Sequence, residues 1–358
     1  MPAGTEMVPS GLRVFIQSGE FRRARWVLKY FRRVVIYLLY GRLLGLAPEL
    51  DKIPADAQRI LWINLAAPSL GDSLMDLAPR RLLSRLSIVL LTDPLNAPLY
   101  KEDSYFKAVF TSHDELKQEY KEGQFDCVIC DSFSSRTILA KLKTAPLSPF
   151  VSLYRFTNGF EVHRTRFAYE RIASLLDQSV KVEDQLLHLG GVRKSCQKRF
   201  DVCVAVGGKW AFRTYARWME VIQPLVSAGL SVHLVGSDNG VDEARRLTSL
   251  FPSISSSVGV SSLEQVMVEI SSARIFVGCD GGLWHIASAY SIPSVALFAD
   301  CQIFSADGRQ RVLRNMPFQE CECLYAEESV SDIRPEVVID KIKQLANRCQ
   351  VGKFVVSG

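Results

Sequence analysis

The sequence predicts an α/β protein of two Rossmann-like domains facing a cleft, preceded by a basic amphipathic helical extension. Three observations lead there. From residue 59 onward, short apolar runs alternate with amphipathic helical stretches, the rhythm of parallel sheets covered by helices. A basic polar stretch, Gly190-Gly-Val-Arg-Lys-Ser-Cys-Gln-Lys-Arg199, splits that alternation into two series. The length, 358 residues, also exceeds what one hydrophobic core ordinarily organises. The expected boundaries are 1–55 for the extension, 56–195 for the first domain and 196–358 for the second.

The first element in chain order is the stretch from Phe21 to Leu44. Ala24, Val27, Leu28, Phe31, Val34, Val35, Leu38 and Leu39 recur at the spacing of one helix face. Arg22, Arg25, Lys29, Arg32 and Arg33 fall on the other side, with Trp26, Tyr30, Tyr37 and Tyr40 near the boundary. Seven basic residues and no acid lie between Phe21 and Leu46. Such a helix suits an anionic membrane surface, where each basic residue adds about 1 kcal/mol. The plainer reading is a helix packed on its own domain with a solvated basic face. A polyanion-binding arm is a further reading of the same charge.

The first series then has strand-like runs at Arg59–Leu65, Ser87–Thr92, Ala108–Thr111, Asp126–Cys130 and Phe150–Leu153. Helical patterns fall at Leu74–Leu86, Arg136–Lys143 and Arg166–Leu176. In the second series the strand runs are Asp201–Val206, Ser231–Gly236, Arg274–Gly278 and Ser294–Phe298. Its helices fit Tyr215–Ser227, Val241–Leu250, Leu263–Ser272, Leu283–Tyr290 and Pro335–Arg348. Ligands of such sheets bind beyond the carboxyl ends of the strands.

Charge narrows the partners. Without the seven basic residues of the extension, the chain carries 36 Lys and Arg against 38 Asp and Glu, so the body is not built to bind nucleic acid. Nine cysteines without framework spacing read as reduced thiols of a cytosolic protein. Cys127 and Cys130 fall within one strand run, where residues three apart point to opposite faces. Cys321-Glu-Cys323 lacks a second pair for a metal. The first ten residues carry no signal-peptide pattern, and the uncharged apolar run Val34–Tyr40 is too short to span a bilayer. A cytoplasmic protein is expected.

Two glycine-rich turns carry the chemistry. Gly278-Cys-Asp280-Gly281-Gly282 lies between a buried strand and a small-residue helix with His285 in its first turn. Backbone N–H groups at that helix start welcome a phosphate, and the glycines let it approach. The helix end contributes about 0.3–1 kcal/mol per charge, so a diphosphate needs a cation besides. Lys209 and Arg213, in Gly207-Gly208-Lys209-Trp210-Ala-Phe-Arg213, follow the first strand of the same series, and Trp210 would stack on a base. The second turn is Pro68-Ser69-Leu70-Gly71-Asp72-Ser73, whose Asp72 would act as a general base. The plainer readings are ordinary βα turns, with Asp280 and Asp72 placed for helix capping and the helix dipole and His285 in the core. The absence of Gly-x-Gly-x-x-Gly, Walker and Asp-x-Asp motifs counts against nicotinamide, ATPase and metal-held nucleotide-sugar chemistry. The five histidines show no helical zinc spacing.

"VGCDGGLWHIASAYSIPSVALFAD" resembles the most recognisable segment of the bacterial heptosyltransferase family (glycosyltransferase family 9), where a strand leads into Asp-[Ser/Thr]-Gly-x-x-His. "SLGDSLMDLAPRRLLSRL" is similar to that family's N-terminal Gly-Asp. "FDCVICDSFSSRTILAKL" resembles its strand ending in Asp and the later arginine, here Arg136, and "VHLVGSDNGVDEARRL" resembles its strand-Gly-x-x-x-Glu segment. The resemblance implies the GT-B arrangement and an inverting, metal-independent transfer of heptose from ADP-heptose to the lipopolysaccharide inner core at the inner face of the inner membrane. No cofactor is implied, the nucleotide sugar being the substrate.

Carried onto this chain, the resemblance makes Asp72 the catalytic base, with Ser69, Gly71 and Arg136 on the acceptor side. It makes Asp280, Gly281, Gly282 and His285 the donor-diphosphate segment and puts Gly236, Asp238 and Glu243 near the donor ribose. The chain departs from the family in having Arg213-Thr-Tyr215 where a Lys-x-Trp is usual, with Lys209 four residues before, and Gly281 in place of the Ser or Thr. Another nucleotide sugar, or a catalytically inactive membrane-surface protein of this fold, are the competing readings.

Overall fold

The computed structural model describes residues 24–43, 45–67, 69–121, 123–156, 163–190, 197–299 and 320–349. The contacts divide the chain into two units, Met1–Gln185 and Leu186–Gly358, ten residues ahead of the boundary suggested by the basic stretch. Part of that stretch, 191–196, lies outside the described residues.

Unit 1 holds a five-stranded, all-parallel sheet in the order β3-β2-β1-β4-β5. Its strands are β1 (Arg59–Asn64), β2 (Ser87–Thr92), β3 (Phe106–Phe110), β4 (Cys127–Cys130) and β5 (Phe150–Ser152). The helices are α1 (Ala24–Leu43), α2 (Leu70–Leu77), α3 (His113–Glu119), α4 (Ser135–Thr144) and α5 (Arg164–Leu175). The chain enters mid-sheet at β1, lays β2 and β3 to one side, then returns to lay β4 and β5 on the other. The loops leaving β1 and β4 therefore part from a common point, the place where open α/β sheets bind ligands.

Helix α2 starts earlier than its apolar pattern suggests, because Ser69 caps it by accepting from the Asp72 N–H at 3.3 Å. It ends at Leu77 and tightens into a 3-10 turn, Ala78–Leu83, since Pro79 has no N–H to continue the ladder. The expected helix over Leu74–Leu86 is thus two shorter pieces. Cys127 and Cys130 are both buried in β4, where burial raises each thiol pKa, that of Cys127 to about 12.

Helix α1 packs on unit 1, by a face the sequence did not single out. Tyr37 stacks on Phe133 at 4.5 Å between ring centroids, and Tyr30 meets Phe156 edge-on at 5.6 Å. Arg33, assigned to the solvated side by periodicity, is buried and donates from Nη1 to the Phe156 carbonyl at 3.1 Å. Burial pushes its pKa down to about 10. Rings that fill the space over Phe133, Phe150 and Phe156 outcompete the aliphatic stripe for the docked position.

Unit 2 repeats the plan with a six-stranded parallel sheet, β11-β10-β9-β6-β7-β8. The strands are β6 (Phe200–Ala205), β7 (Val232–Val235), β8 (Ser255–Ser256), β9 (Ala273–Cys279), β10 (Ser294–Ala299) and β11 (Cys321–Ala326). The helices are α6 (Trp218–Ser227), α7 (Val241–Leu250), α8 (Leu263–Ser271), α9 (Gly282–Ala289) and α10 (Pro335–Arg348). Here the switch lies between β6 and β9. Its core joins Val202, Val204, Ile275, Val277 and Leu297 from the sheet to Trp218, Ile222, Ile342 and Leu345 from α6 and α10.

Candidate functional site

In unit 1 the switch point gathers a set of interlocked polar side chains. Asp72 sits in the first turn of α2, and Asp76 one turn on, at the i, i+4 spacing that shares a helix face. Arg164, the first residue of α5, answers both. Its Nη1 donates to Asp72 Oδ1 at 2.6 Å, and its Nε and Nη2 form a two-pronged pair with Asp76 at 2.7 Å each. Tyr154 donates to Asp76 Oδ1 at 2.5 Å, and its ring lies 5.4 Å from the guanidinium carbon. Burial opposes the charge on Arg164, but the two carboxylates outweigh it and hold its pKa above the ordinary value.

Asp76 and Arg164 are buried, whereas the Asp72 side chain stays 37% exposed. Ser69 donates to the second Asp72 oxygen at 2.8 Å. Asp72 is therefore an accessible carboxylate aimed by two partners. Beside it, Asp131 closes the turn after β4, accepting from the Ala66 and Ser132 N–H groups and the Thr137 hydroxyl at 2.5, 2.6 and 2.6 Å. Burial raises its pKa to about 6, against those hydrogen bonds. Of the acceptor-side residues, Gly71 is buried in α2 and Ser69 is its exposed cap. Arg136 donates to the Leu65 carbonyl at 2.5 Å and lies 3.6 Å from Asp93, which fixes it beyond β1 and β2.

In unit 2 the loops leaving β6 and β9 meet. Asp280 is buried at the end of β9, its N–H donating to the Leu297 carbonyl at 2.9 Å. Its carboxylate lies 3.5 Å from Arg213 Nη2 and 3.9 Å from His285 Nε2. Asp280 does not cap α9: Gly281 holds the N-cap position in extended backbone, with no side-chain capping bond. The leading N–H groups of α9 thus open beside Arg213. The Lys209 ammonium lies 5.8 Å over the ring of Trp210, which is 37% exposed.

The β7 loop holds the remaining donor candidates. A Cβ at Gly236 would meet the Val206 carbonyl at 2.6 Å, so glycine there lets the ends of β6 and β7 converge. Asp238 is exposed, and Glu243, in the first turn of α7, is taken up by Arg246 at 2.7 Å. The structure brings Arg213, Asp280 and His285 together and places Glu243 in a local ion pair. Cys321 and Cys323 share one face of β11 with sulfurs 3.7 Å apart. Among the described residues no three His, Cys, Asp or Glu side chains group as metal ligands would.

Sequence reasoning missed Arg164, Asp76 and Tyr154. Asp72 and Asp76 at i, i+4 were the available signal, since two acids on one buried helix face call for a cation.

Two parallel, doubly wound units are also what solved structures of glycosyltransferases show. A glycosyl transferase family 9 protein from Veillonella parvula superposes with a TM-score of 0.66 at 13% identity, covering 84% of this chain and all of its own. The E. coli ADP-heptose lps heptosyltransferase II gives 0.61 at 16% identity, covering 82% and 100%. The E. coli heptosyltransferase WaaC, solved with ADP-2-deoxy-2-fluoro heptose, gives 0.56 at 15% identity, covering 80% and 99%. At these identities the likeness is one of fold. No curated protein matches the sequence. Residues 192–308, however, match the family model for glycosyltransferase family 9 (heptosyltransferase). Over that stretch the chain is similar to a glycosyltransferase family 9 domain, in keeping with the resemblance of its motifs.

Proposed function

We propose that the protein transfers heptose from ADP-heptose to the inner core of lipopolysaccharide, inverting the anomeric centre and using no metal. The observation that carries this reading is the convergence of Arg213, Asp280 and the open start of α9 at the β6/β9 switch. All of it lies inside the stretch that matches the family model. An uncapped helix start and a guanidinium suit a diphosphate, the cation supplying what the helix dipole lacks.

Asp72 takes the proton of the acceptor hydroxyl. The freed oxygen bonds to the anomeric carbon on the face opposite the diphosphate, whose C–O bond breaks as ADP leaves. Arg164 and Ser69 aim Asp72, so this base works by position more than by strength. The Gly281 and Gly282 amides, with Arg213 or Lys209, take up the charge arriving on ADP. His285, 3.9 Å away, positions Asp280, and Ser69, Gly71 and Arg136 line the acceptor side. The acceptor is a membrane glycolipid, which places the reaction at the inner face of the inner membrane. Among the described residues no helix is long and apolar enough to cross a membrane.

Calorimetry with ADP-heptose, UDP-sugars and GDP-sugars tests the donor. ADP-heptose is expected to bind at least tenfold more tightly than the others. Tighter binding of a UDP- or GDP-sugar would assign another donor to the same fold, and no binding at all would mark a protein that kept the fold without the chemistry.

A further inference from the structure

Helix α1 shows two opposed faces, and only one is accounted for by packing. Tyr30, Arg33 and Tyr37 seat it on unit 1. On the opposite side Leu28, Phe31, Val35, Leu38 and Leu39 are 71%, 56%, 51%, 47% and 51% exposed. At 100° per residue these five positions fall within a single stripe about 100° wide. Five large apolar side chains aligned on one exposed helix face are unusual for a surface with no partner. Arg32, also exposed, borders the stripe, and the surrounding stretch Phe21–Leu46 has seven Lys or Arg and no acid.

We infer that this stripe is the membrane-docking surface of the protein, and that its partner is an anionic lipid bilayer. The apolar side chains enter the boundary between headgroups and acyl chains while Arg32, exposed at the stripe's border, meets lipid phosphates. Charge decides the occupant: a second copy would bring like charges together along the same stretch, whereas anionic headgroups neutralise them. The stripe is the outer part of the apolar face that periodicity marks, with Val34 turned toward the core of unit 1. The inference deepens the proposed reaction, since a lipid-linked acceptor requires an enzyme held at its surface.

Flotation of the full chain with vesicles tests it, without donor or acceptor, so that failure here and failure of sugar transfer are separate results. The wild type is expected to float with phosphatidylglycerol–phosphatidylethanolamine vesicles, more weakly at high salt, and to stay behind with phosphatidylcholine. Val35→Ser/Leu39→Ser should weaken partitioning at least tenfold with circular dichroism and Tm unchanged, because both side chains lie on the exposed stripe. Leu38→Trp gives an independent reading: its fluorescence should shift to the blue when anionic vesicles are added. The inference is overturned if the wild type ignores anionic vesicles, if the double variant floats equally well, or if the tryptophan emission stays put. It is also overturned if sedimentation shows a dimer that the double variant dissociates, which would make a second copy the occupant.

Discussion

Replacing Arg164 by Met removes a cation that serves both Asp72 and Asp76. Asp76, whose side chain is 1% exposed, would lose both of its 2.7 Å bonds and keep only the Tyr154 hydroxyl. Breaking a buried ion pair by removing one partner typically costs about 3–5 kcal/mol. A ceiling comes from proton uptake. A stranded carboxyl of ordinary pKa, about 3.9, becomes neutral at a cost of about 4 kcal/mol at pH 7 but only about 1.5 kcal/mol at pH 5. Arg164→Met should therefore destabilise unit 1 by about 3–4 kcal/mol at pH 7, with the difference from wild type shrinking toward pH 5. Urea melts followed by tryptophan fluorescence at the two pH values read this directly, with Trp62 in the core of unit 1 as the reporter. Asp72 meanwhile loses one of its two aiming partners, so kcat should fall while donor affinity holds. Arg164→Lys, which keeps the charge but not the fork, should fall between wild type and Met. A loss below about 1 kcal/mol that does not change with pH would refute the reading of Arg164 as the clamp of this cluster.

Three further outcomes are expected. The folded Asp131 carboxyl has its pKa raised to about 6 from 3.8, so its contribution to stability is complete below about 3.8 and lost as pH rises through about 6. That is about 3 kcal/mol over the window. Asp131→Asn should flatten the fall in unit 1 stability between pH 4 and pH 7, and an unchanged slope in a Tm–pH series would assign that fall elsewhere. Arg213→Ala should weaken ADP binding about tenfold to a hundredfold, the worth of a charge-assisted hydrogen bond, as measured by calorimetry; unchanged affinity would move the phosphate cation to Lys209. Gly236→Ala places a Cβ 2.6 Å from the Val206 carbonyl and should destabilise unit 2 by about 1–3 kcal/mol in urea melts.

Much of the fold was legible because buried strands leave unbroken apolar runs. Val241–Leu250 and Pro335–Arg348 form helices over the ranges their periodicity marks. Three elements escaped, among them the two-residue strand β8, too short to leave an apolar run. Helix α3, HDELKQE, buries only Leu116 and has too little apolar pattern to be noticed. Strand β11, CECLYA, is registered by pairing with β10 rather than by its own composition. In the site, the turns after β1 and β9 were visible as glycine punctuation around an acid. Arg164 was not, because its carboxylates lie 88 and 92 residues away along the chain and only the folded sheet makes them neighbours. The helix α1 was visible, but which side docks depends on the rings of Phe133, Phe150 and Phe156, which no local pattern encodes.

The most direct test of the proposed chemistry compares Asp72→Asn with the wild type in a transfer assay using ADP-heptose and isolated lipopolysaccharide core, with ADP binding measured in parallel. Loss of a positioned general base costs about 10²–10⁴-fold, so turnover should drop by that factor while the dissociation constant for ADP stays within about twofold. Turnover by the Asn variant at the wild-type rate would place the base on another residue and contradict the assignment of Asp72.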